Sequence, residues 1–276
     1  MIATPYYRKD DITLYLGDSL EILPQLNDKI DLVITSPPYF VNKEYEDIRK
    51  SDNIIESWQS YLKLLCGIFD GCINLLNDSG HLWINIDDSH TSIKSELKKN
   101  IVLPTHAELI SYLSKKIDYK EMILWKKIRG AHSSGGSLRM LGSYGRFGSP
   151  GSIPIVQEVE YILWFKKSGV REASDELRKL SALNNEEFKE FGMQIWNINP
   201  ERKIDHPAPF PLAIPHRCIK LGSFVGDTVL DPFSGSGTTA VACIKTKRKF
   251  IGIERDKGYL DKAIDRIEKE KINLFE

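Results

Sequence analysis

Two apolar runs that stop in chemically loaded loops constrain this chain more than any other feature. Leu32-Val33-Ile34 runs into Thr35-Ser36-Pro37-Pro38-Tyr39. Thr228-Val229-Leu230 runs into Asp231-Pro232-Phe233-Ser234-Gly235-Ser236-Gly237-Thr238-Thr239. Short apolar runs bounded by turn residues read as strands. Between them, residues 57–76 place Trp58, Tyr61, Leu62, Leu65, Phe69 and Ile73 at helical spacing. Further strands are expected at 12–16, 81–86, 121–125, 156–167 and 250–254, and further helices at 104–115, 213–221, from 238 and at the C-terminus. Strand alternating with helix predicts an α/β fold: a doubly wound, mostly parallel sheet with helices on both faces, Rossmann-like. Ligands of such sheets bind beyond the carboxyl ends of the strands, where both loops lie.

The 276 residues suit one large domain or one domain with an inserted lobe. No apolar run is long enough to span a membrane. Met1-Ile2-Ala3-Thr4-Pro5 lacks a secretion pattern, so a cytoplasmic location is expected. Cys66, Cys72, Cys218 and Cys243 form no Cys-x-x-Cys pair and are read as reduced, buried thiols. With 38 basic and 38 acidic side chains the net charge is zero. Any nucleic-acid surface must therefore come from local clustering.

The glycine loop invites a cofactor. Gly235 and Gly237 let backbone approach a ligand closely, and a helix from Thr238 offers N–H groups to a carboxylate or phosphate. Glu254 ends the next strand, 19 positions after Gly235, where an acid can accept hydrogen bonds from two ribose hydroxyls. Gly235-x-Gly237-x-x-Ala240 also fits the dinucleotide fingerprint, so spacing alone leaves NAD and S-adenosylmethionine both open. It also suits a turn that merely packs a helix on a sheet. No Gly-Lys-Ser/Thr follows, which excludes a P-loop.

Two prolines in a row stiffen the other loop and remove backbone donors. An exocyclic amino group on a base has two hydrogens and a delocalised lone pair. Ser36 Oγ and the Pro37 carbonyl could accept those hydrogens, orienting the nitrogen, while Tyr39 stacks on the base. In-line transfer of a sulfonium methyl then needs mainly positioning and electrostatics. The plainer reading is an ordinary Pro-Pro turn with a core tyrosine.

Together the two segments resemble those of the DNA amino-methyltransferases, and the Ser-Pro-Pro-Tyr segment coming first resembles the permuted subgroup called class beta. The resemblance implies catalysis by Ser36, Pro37, Pro38 and Tyr39. It implies S-adenosylmethionine in the loop Asp231, Phe233, Ser234, Gly235, Ser236 and Gly237, with its carboxylate near Thr238 and Thr239 and its ribose on Glu254. Leu16-Gly17-Asp18-Ser19-Leu20-Glu21 is similar to the family segment that contacts the adenine, although Asp18 reads equally as a helix N-cap. His206-Pro207-Ala208-Pro209-Phe210-Pro211 resembles the loop closing over the methionine end, which adds Phe210. Family members flip the target base out of duplex DNA. Serine in the first position resembles the cytosine-N4 members, with adenine N6 the alternative. A restriction-modification context follows, with a separately acting endonuclease as a further partner and a monomer or homodimer as the assembly. The rival readings are an NAD-dependent oxidoreductase and a catalytically dead DNA-binding module.

Between Met122 and Gln157 there is no Asp or Glu, whereas Lys126, Lys127, Arg129, Arg139 and Arg146 all lie there. Such an excess suits phosphate contacts, or a solvated loop with chance bias. The same resemblance, which places a target-recognition region between the two halves, implies that residues 1–127 are the catalytic half. Residues 128–196 would be a target-recognition insert whose strand 156–167 returns to the sheet, and 197–276 the cofactor half.

Overall fold

The computed structural model describes residues 3–40, 54–90, 101–127, 157–200 and 211–273. Its strands are β1 (Tyr7–Lys9), β2 (Ile12–Leu16), β3 (Ile30–Thr35), β4 (Leu76–Ile86), β5 (Ser89–His90), β6 (Val102–Leu103), β7 (Asp118–Lys127), β8 (Val159–Lys166), β9 (Ile195–Ile198), β10 (Thr228–Asp231) and β11 (Lys249–Glu254). Its helices are α1 (Ser19–Ile22), α2 (Ile54–Leu75), α3 (Thr105–Leu113), α4 (Asp175–Ser181), α5 (Asn185–Phe191), α6 (Ala213–Gly222), α7 (Thr238–Thr246) and α8 (Lys257–Asn273).

Among the described residues, nine strands form one sheet in the order β1-β2-β11-β10-β3-β4-β8-β7-β9, and β5 pairs with β6 apart from it. The run from β2 to β4 is parallel. β8 lies antiparallel between β4 and β7, and β9 is parallel to β7. The continuous apolar character of the central strands follows from burial on both faces. Val33, Leu82, Ile84, Leu230 and Ile253 face a cluster with Tyr61, Leu65 and Phe69 of α2 and Leu109 and Leu113 of α3. The alternate residues Leu32, Ile34, Trp83, Val229 and Phe250 face Ile214 and Cys218 of α6, Ala240 and Cys243 of α7, and Leu260 and Ile267 of α8. The doubly wound expectation therefore holds.

Several boundaries differ from the sequence reading. Residues 77–80, between the expected helix 57–76 and strand 81–86, are an irregular start to β4: Ser79 takes a φ of 63°, and pairing with β3 shifts between Ile30 and Leu32. The charged stretch after Ser168 splits into two short helices, capped by the side chains of Ser174 and Asn184. The short strands β1 and β9, at the two sheet edges, were not expected. All four cysteines are free; three are buried and Cys66 is only half-buried. No helix among the described residues is long and apolar enough to cross a membrane.

At the amino ends of β3 and β10, Arg171 donates to Asp227 (2.5 and 2.6 Å) and to Asp31 (3.0 Å). Asp31 also accepts from Thr228 N, and Asp227 from Phe224 N. One guanidinium thus joins the turn after β8 to the bases of two central strands. Arg171→Ala leaves the buried Asp227 carboxylate without its bidentate partner. Discounted for the partial exposure of Arg171, the expected loss is roughly 1–3 kcal/mol, read as a lowered urea midpoint with an unchanged slope.

Candidate active site

The carboxyl ends of β2, β3, β4, β10 and β11 share one edge of the sheet. Asp231, buried at the end of β10, accepts from Thr35 Oγ1 (2.6 Å) at the end of β3. It also accepts from Thr239 Oγ1 (2.6 Å) in the first turn of α7, and from Phe233 N (3.0 Å). One carboxylate therefore joins the Ser-Pro-Pro-Tyr segment to the glycine loop. Burial pushes its pKa up to about 6, opposed by the hydrogen bonds from Thr239, Thr35 and Phe233.

The loop itself is built from close backbone turns. Gly237 has a φ of +79°, and a Cβ there would lie 2.8 Å from Ala263 Cβ, so only glycine lets α7 pack on α8. Gly235 has a φ of +51°, and a Cβ there would meet nothing closer than Phe233 O at 3.9 Å. Among the described residues nothing fills that side. Among the described residues no side chain caps α7. Glu254 accepts from Gly235 N (2.8 Å) through one oxygen and Asp256 N (2.9 Å) through the other. Burial raises its pKa, with the N–H groups of Asp256, Gly235 and Arg255 acting against it.

A second polar cluster lies beneath Tyr39. Its hydroxyl donates to Glu160 Oε2 (2.6 Å). Asn85 Nδ2 reaches Glu160 Oε2 (2.9 Å), Tyr39 OH (3.1 Å) and Ser36 Oγ (3.3 Å). Lys127 Nζ pairs with Glu160 Oε1 at 2.5 Å. Glu160 is only 4% exposed and Asn85 2%. Burial, then the charge of Glu160, holds the Tyr39 hydroxyl well above its usual pKa, so it remains a donor. Tyr61 OH donates to Pro38 O (2.8 Å), fixing the Pro-Pro turn on α2. Asp87 lies one strand end away, bonded by Gln157. Its pKa is pushed up to about 6 by burial and then by Glu160.

The expected residues gather at this edge, but several have internal roles. Asp231 and Thr239 bond each other and so brace the loop rather than face it. Ser19 Oγ donates to Pro232 O, tying α1 to the same turn. Asp18 accepts from Leu20 N (2.8 Å), as the N-cap reading expected. Ser236 and Thr238 are held from outside by Arg266 of α8, which donates to Ser236 O (2.9 Å), Ser236 Oγ (3.0 Å) and Thr238 Oγ1 (3.1 Å). Ser234 is buried, and its hydroxyl has no hydrogen-bond partner among the described residues. Phe233 packs against the α2 side of the core. Lys126 is exposed, whereas Lys127 is engaged internally by Glu160 rather than turned to an open surface. Phe210, Arg129, Arg139 and Arg146 lie outside the described residues.

Asn85, Glu160 and Arg266 were missed. Asn85 is the one polar residue in Leu82-Trp83-Ile84-Asn85-Ile86, and Glu160 shares its strand phase with Ile162 and Trp164. A polar residue in register with apolar ones was the available signal.

A family described as DNA methylase, of N6 and N4 type, matches residues 30–265. The chain belongs to this family. Among its relatives is the type II methyltransferase M.MjaI of Methanocaldococcus jannaschii, 32% identical, with the match covering 95% of this chain and 91% of the relative. The Thermus thermophilus protein TTHA0409, crystallised with S-adenosyl-L-methionine, superposes with a TM-score of 0.76 at 31% identity, covering 93% of each chain. The cytosine-N4-specific PvuII DNA methyltransferase has the same fold, with a TM-score of 0.70 at 18% identity, covering 98% of this chain and 93% of that one. The family and fold of this chain thus agree with the resemblance read from its sequence.

The Asp231 carboxyl gives a pH signature. Its pKa is about 6 in the fold against an ordinary 3.8. A carboxyl raised in this way stabilises the fold fully below its unfolded pKa and loses that contribution as pH rises through its folded pKa. The difference corresponds to roughly 3 kcal/mol. Asp231→Asn should therefore remove a loss of about that size between pH 4 and pH 7, relative to the parent. Asp87 and Glu254 shift the same way but are present in both proteins, so the difference in urea stability between parent and variant isolates Asp231. Parallel pH profiles would contradict the assignment.

Proposed function

We propose that this chain is a DNA methyltransferase that transfers a methyl group from S-adenosylmethionine to the exocyclic amino group of a base in duplex DNA, with cytosine N4 as the target. The observation that carries the reading is the Asp231 bridge, which sets the Ser-Pro-Pro-Tyr turn beside the glycine loop. The loop residues fit the donor. Gly235 leaves an open approach, α7 presents uncapped N–H groups toward a carboxylate, and Glu254 keeps acceptor capacity for ribose hydroxyls. The internal bonding of Thr239 shifts the expected carboxylate contact to the α7 backbone and Thr238.

Bound S-adenosylmethionine supplies an electrophilic sulfonium methyl. The chain supplies positioning. Ser36 Oγ and the Pro37 carbonyl accept the two amino hydrogens, and the stiff Pro-Pro turn, held by Tyr61, limits their motion. Tyr39 offers a ring to the extruded base, worth roughly 1–3 kcal/mol in stacking. Water-poor surroundings strengthen each of these contacts. Ser36 in the first position favours cytosine N4 over adenine N6. Exposed Lys126, at the rim of the site, suits a phosphate contact, as the arginines that follow it in sequence would. The type II names of the relatives support a restriction-modification setting with a separate endonuclease, and a monomer or homodimer would serve. An NAD-dependent oxidoreductase would leave Ser36, Tyr39 and their polar cluster without a role.

Digestion and mass spectrometry of DNA treated with protein and donor test the chemistry. The expected product is N4-methylcytosine. N6-methyladenine would keep the mechanism and reverse the base, whereas 5-methylcytosine would remove it, since no cysteine is placed to attack the ring.

Glu254→Ala probes the donor site separately. Two hydrogen bonds to a charged acceptor are worth about 1.5–3 kcal/mol each, so calorimetric affinity for S-adenosylmethionine should fall at least tenfold in a folded variant. Unchanged affinity would take Glu254 out of the site.

A further inference from the structure

We propose that Glu160, braced by Lys127, is a positioning residue for methyl transfer: its carboxylate fixes the hydroxyl, and so the ring plane, of Tyr39. The inference rests on the methyltransferase reading and adds a residue to it. The geometry is specific. Glu160 Oε2 accepts from both Tyr39 OH (2.6 Å) and Asn85 Nδ2 (2.9 Å), while Oε1 holds Lys127 Nζ (2.5 Å). Tyr39 OH also accepts from Asn85 Nδ2 at 3.1 Å. A phenol oxygen that donates once and accepts once has little freedom to swing, and Asn85 carries the same restraint on to Ser36 Oγ at 3.3 Å.

The pairing is also unusual for where it sits. Glu160 is 4% exposed, and the next residues on its face of β8 are Ile162 and Trp164, a place where an unpaired charge would be strongly disfavoured. Lys127 answers that charge from the end of β7, directly beside the start of β8; Trp125 and Glu160 are register partners. A carboxylate retained in such a place, with both oxygens engaged and one directed at the tyrosine of the transfer segment, organises that tyrosine. Substrate and donor are reached through Tyr39 and Ser36, so Glu160 acts through them.

The test uses the full-length protein and three variants: Tyr39→Phe, Glu160→Asp and the double variant. Tyr39→Phe keeps the ring and the Glu160–Lys127–Asn85 contacts, so folding should persist. Glu160→Asp keeps the charge for Lys127 but withdraws the carboxylate by one methylene. Each single variant should lower kcat about tenfold, with much smaller changes in KM for DNA and in calorimetric affinity for S-adenosylmethionine. Because both remove the same hydrogen bond, the double variant should be no slower than the worse single. A merely structural role for Glu160 would instead lower urea stability and donor affinity together and multiply with Tyr39→Phe. Full kcat in Tyr39→Phe, or multiplicative losses, would overturn the proposal while leaving the methyltransferase reading intact. A folded parent that methylates no DNA would overturn both.

Discussion

Asp231 lies almost without solvent contact, and its two oxygens reach segments far apart in the chain: Thr35, 196 positions earlier, and Thr239, 8 positions later. Desolvating a carboxylate costs several kcal/mol, and hydrogen bonds repay this only when the geometry is good. Here three donors converge, two of them hydroxyls at 2.6 Å. Such a group is a poor source of net stability but a strong discriminator between arrangements, because any slip leaves buried polar atoms unpaired. The relative position of the two loops is therefore set by a requirement for polar satisfaction. Apolar packing, which tolerates small shifts, would hold them less sharply.

The sheet order makes that convergence available. β10 and β11, late in the chain, insert between the early strands β2 and β3. Phe250 to Glu254 then pair with Ile12 to Leu16, and Val229 and Leu230 pair with Leu32 and Val33. Four strand ends from opposite ends of the sequence become neighbours: Asp18 next to Glu254, Glu254 beside the glycine loop, and the glycine loop beside Thr35. Hydrogen bonds close the joints, from Gly17 N to Glu254 O and from Ser19 Oγ to Pro232 O. On the far side of the sheet, Arg171 performs the matching task at the strand beginnings. The site edge is thus held at both ends of the strands that form it.

How much of this was legible follows from range. Strand, turn and helix signals act within a few residues, so the runs before Thr35 and Asp231, the face of α2 and the cap at Asp18 could all be read. Glycine spacing marked a tight turn before a helix but not the roles within it, since roles depend on neighbours. Thr239 reads as a ligand group until Asp231 is seen beneath it, and Ser236 until Arg266 is seen beside it. The edge strands β1 and β9 gave too short a pattern, three and four residues, to stand above chance. The irregular start of β4, with Ser79 in a left-handed conformation, breaks the strand pattern, so only 81–86 could be read. Asn85 and Glu160 carry no local motif at all. They become meaningful only when β4 and β8 pair, with Asn85 opposite Ile162 and Ile86 opposite Tyr161, and bring both side chains under Tyr39.

Lys127 shows how this bears on charge. In a chain of zero net charge, the stretch from Met122 to Gln157 stands out because it lacks acids. The acid that matters to Lys127 lies just beyond that window, at position 160, and the β7–β8 pairing folds it back within 2.5 Å. The Lys127 side chain, a quarter exposed, is paired with a buried carboxylate, whereas Lys126, its immediate neighbour on the opposite face of the strand, is exposed. Successive residues of one strand point to opposite sides. Adjacent lysines in sequence therefore divide into one paired with the carboxylate beneath Tyr39 and one exposed to solvent.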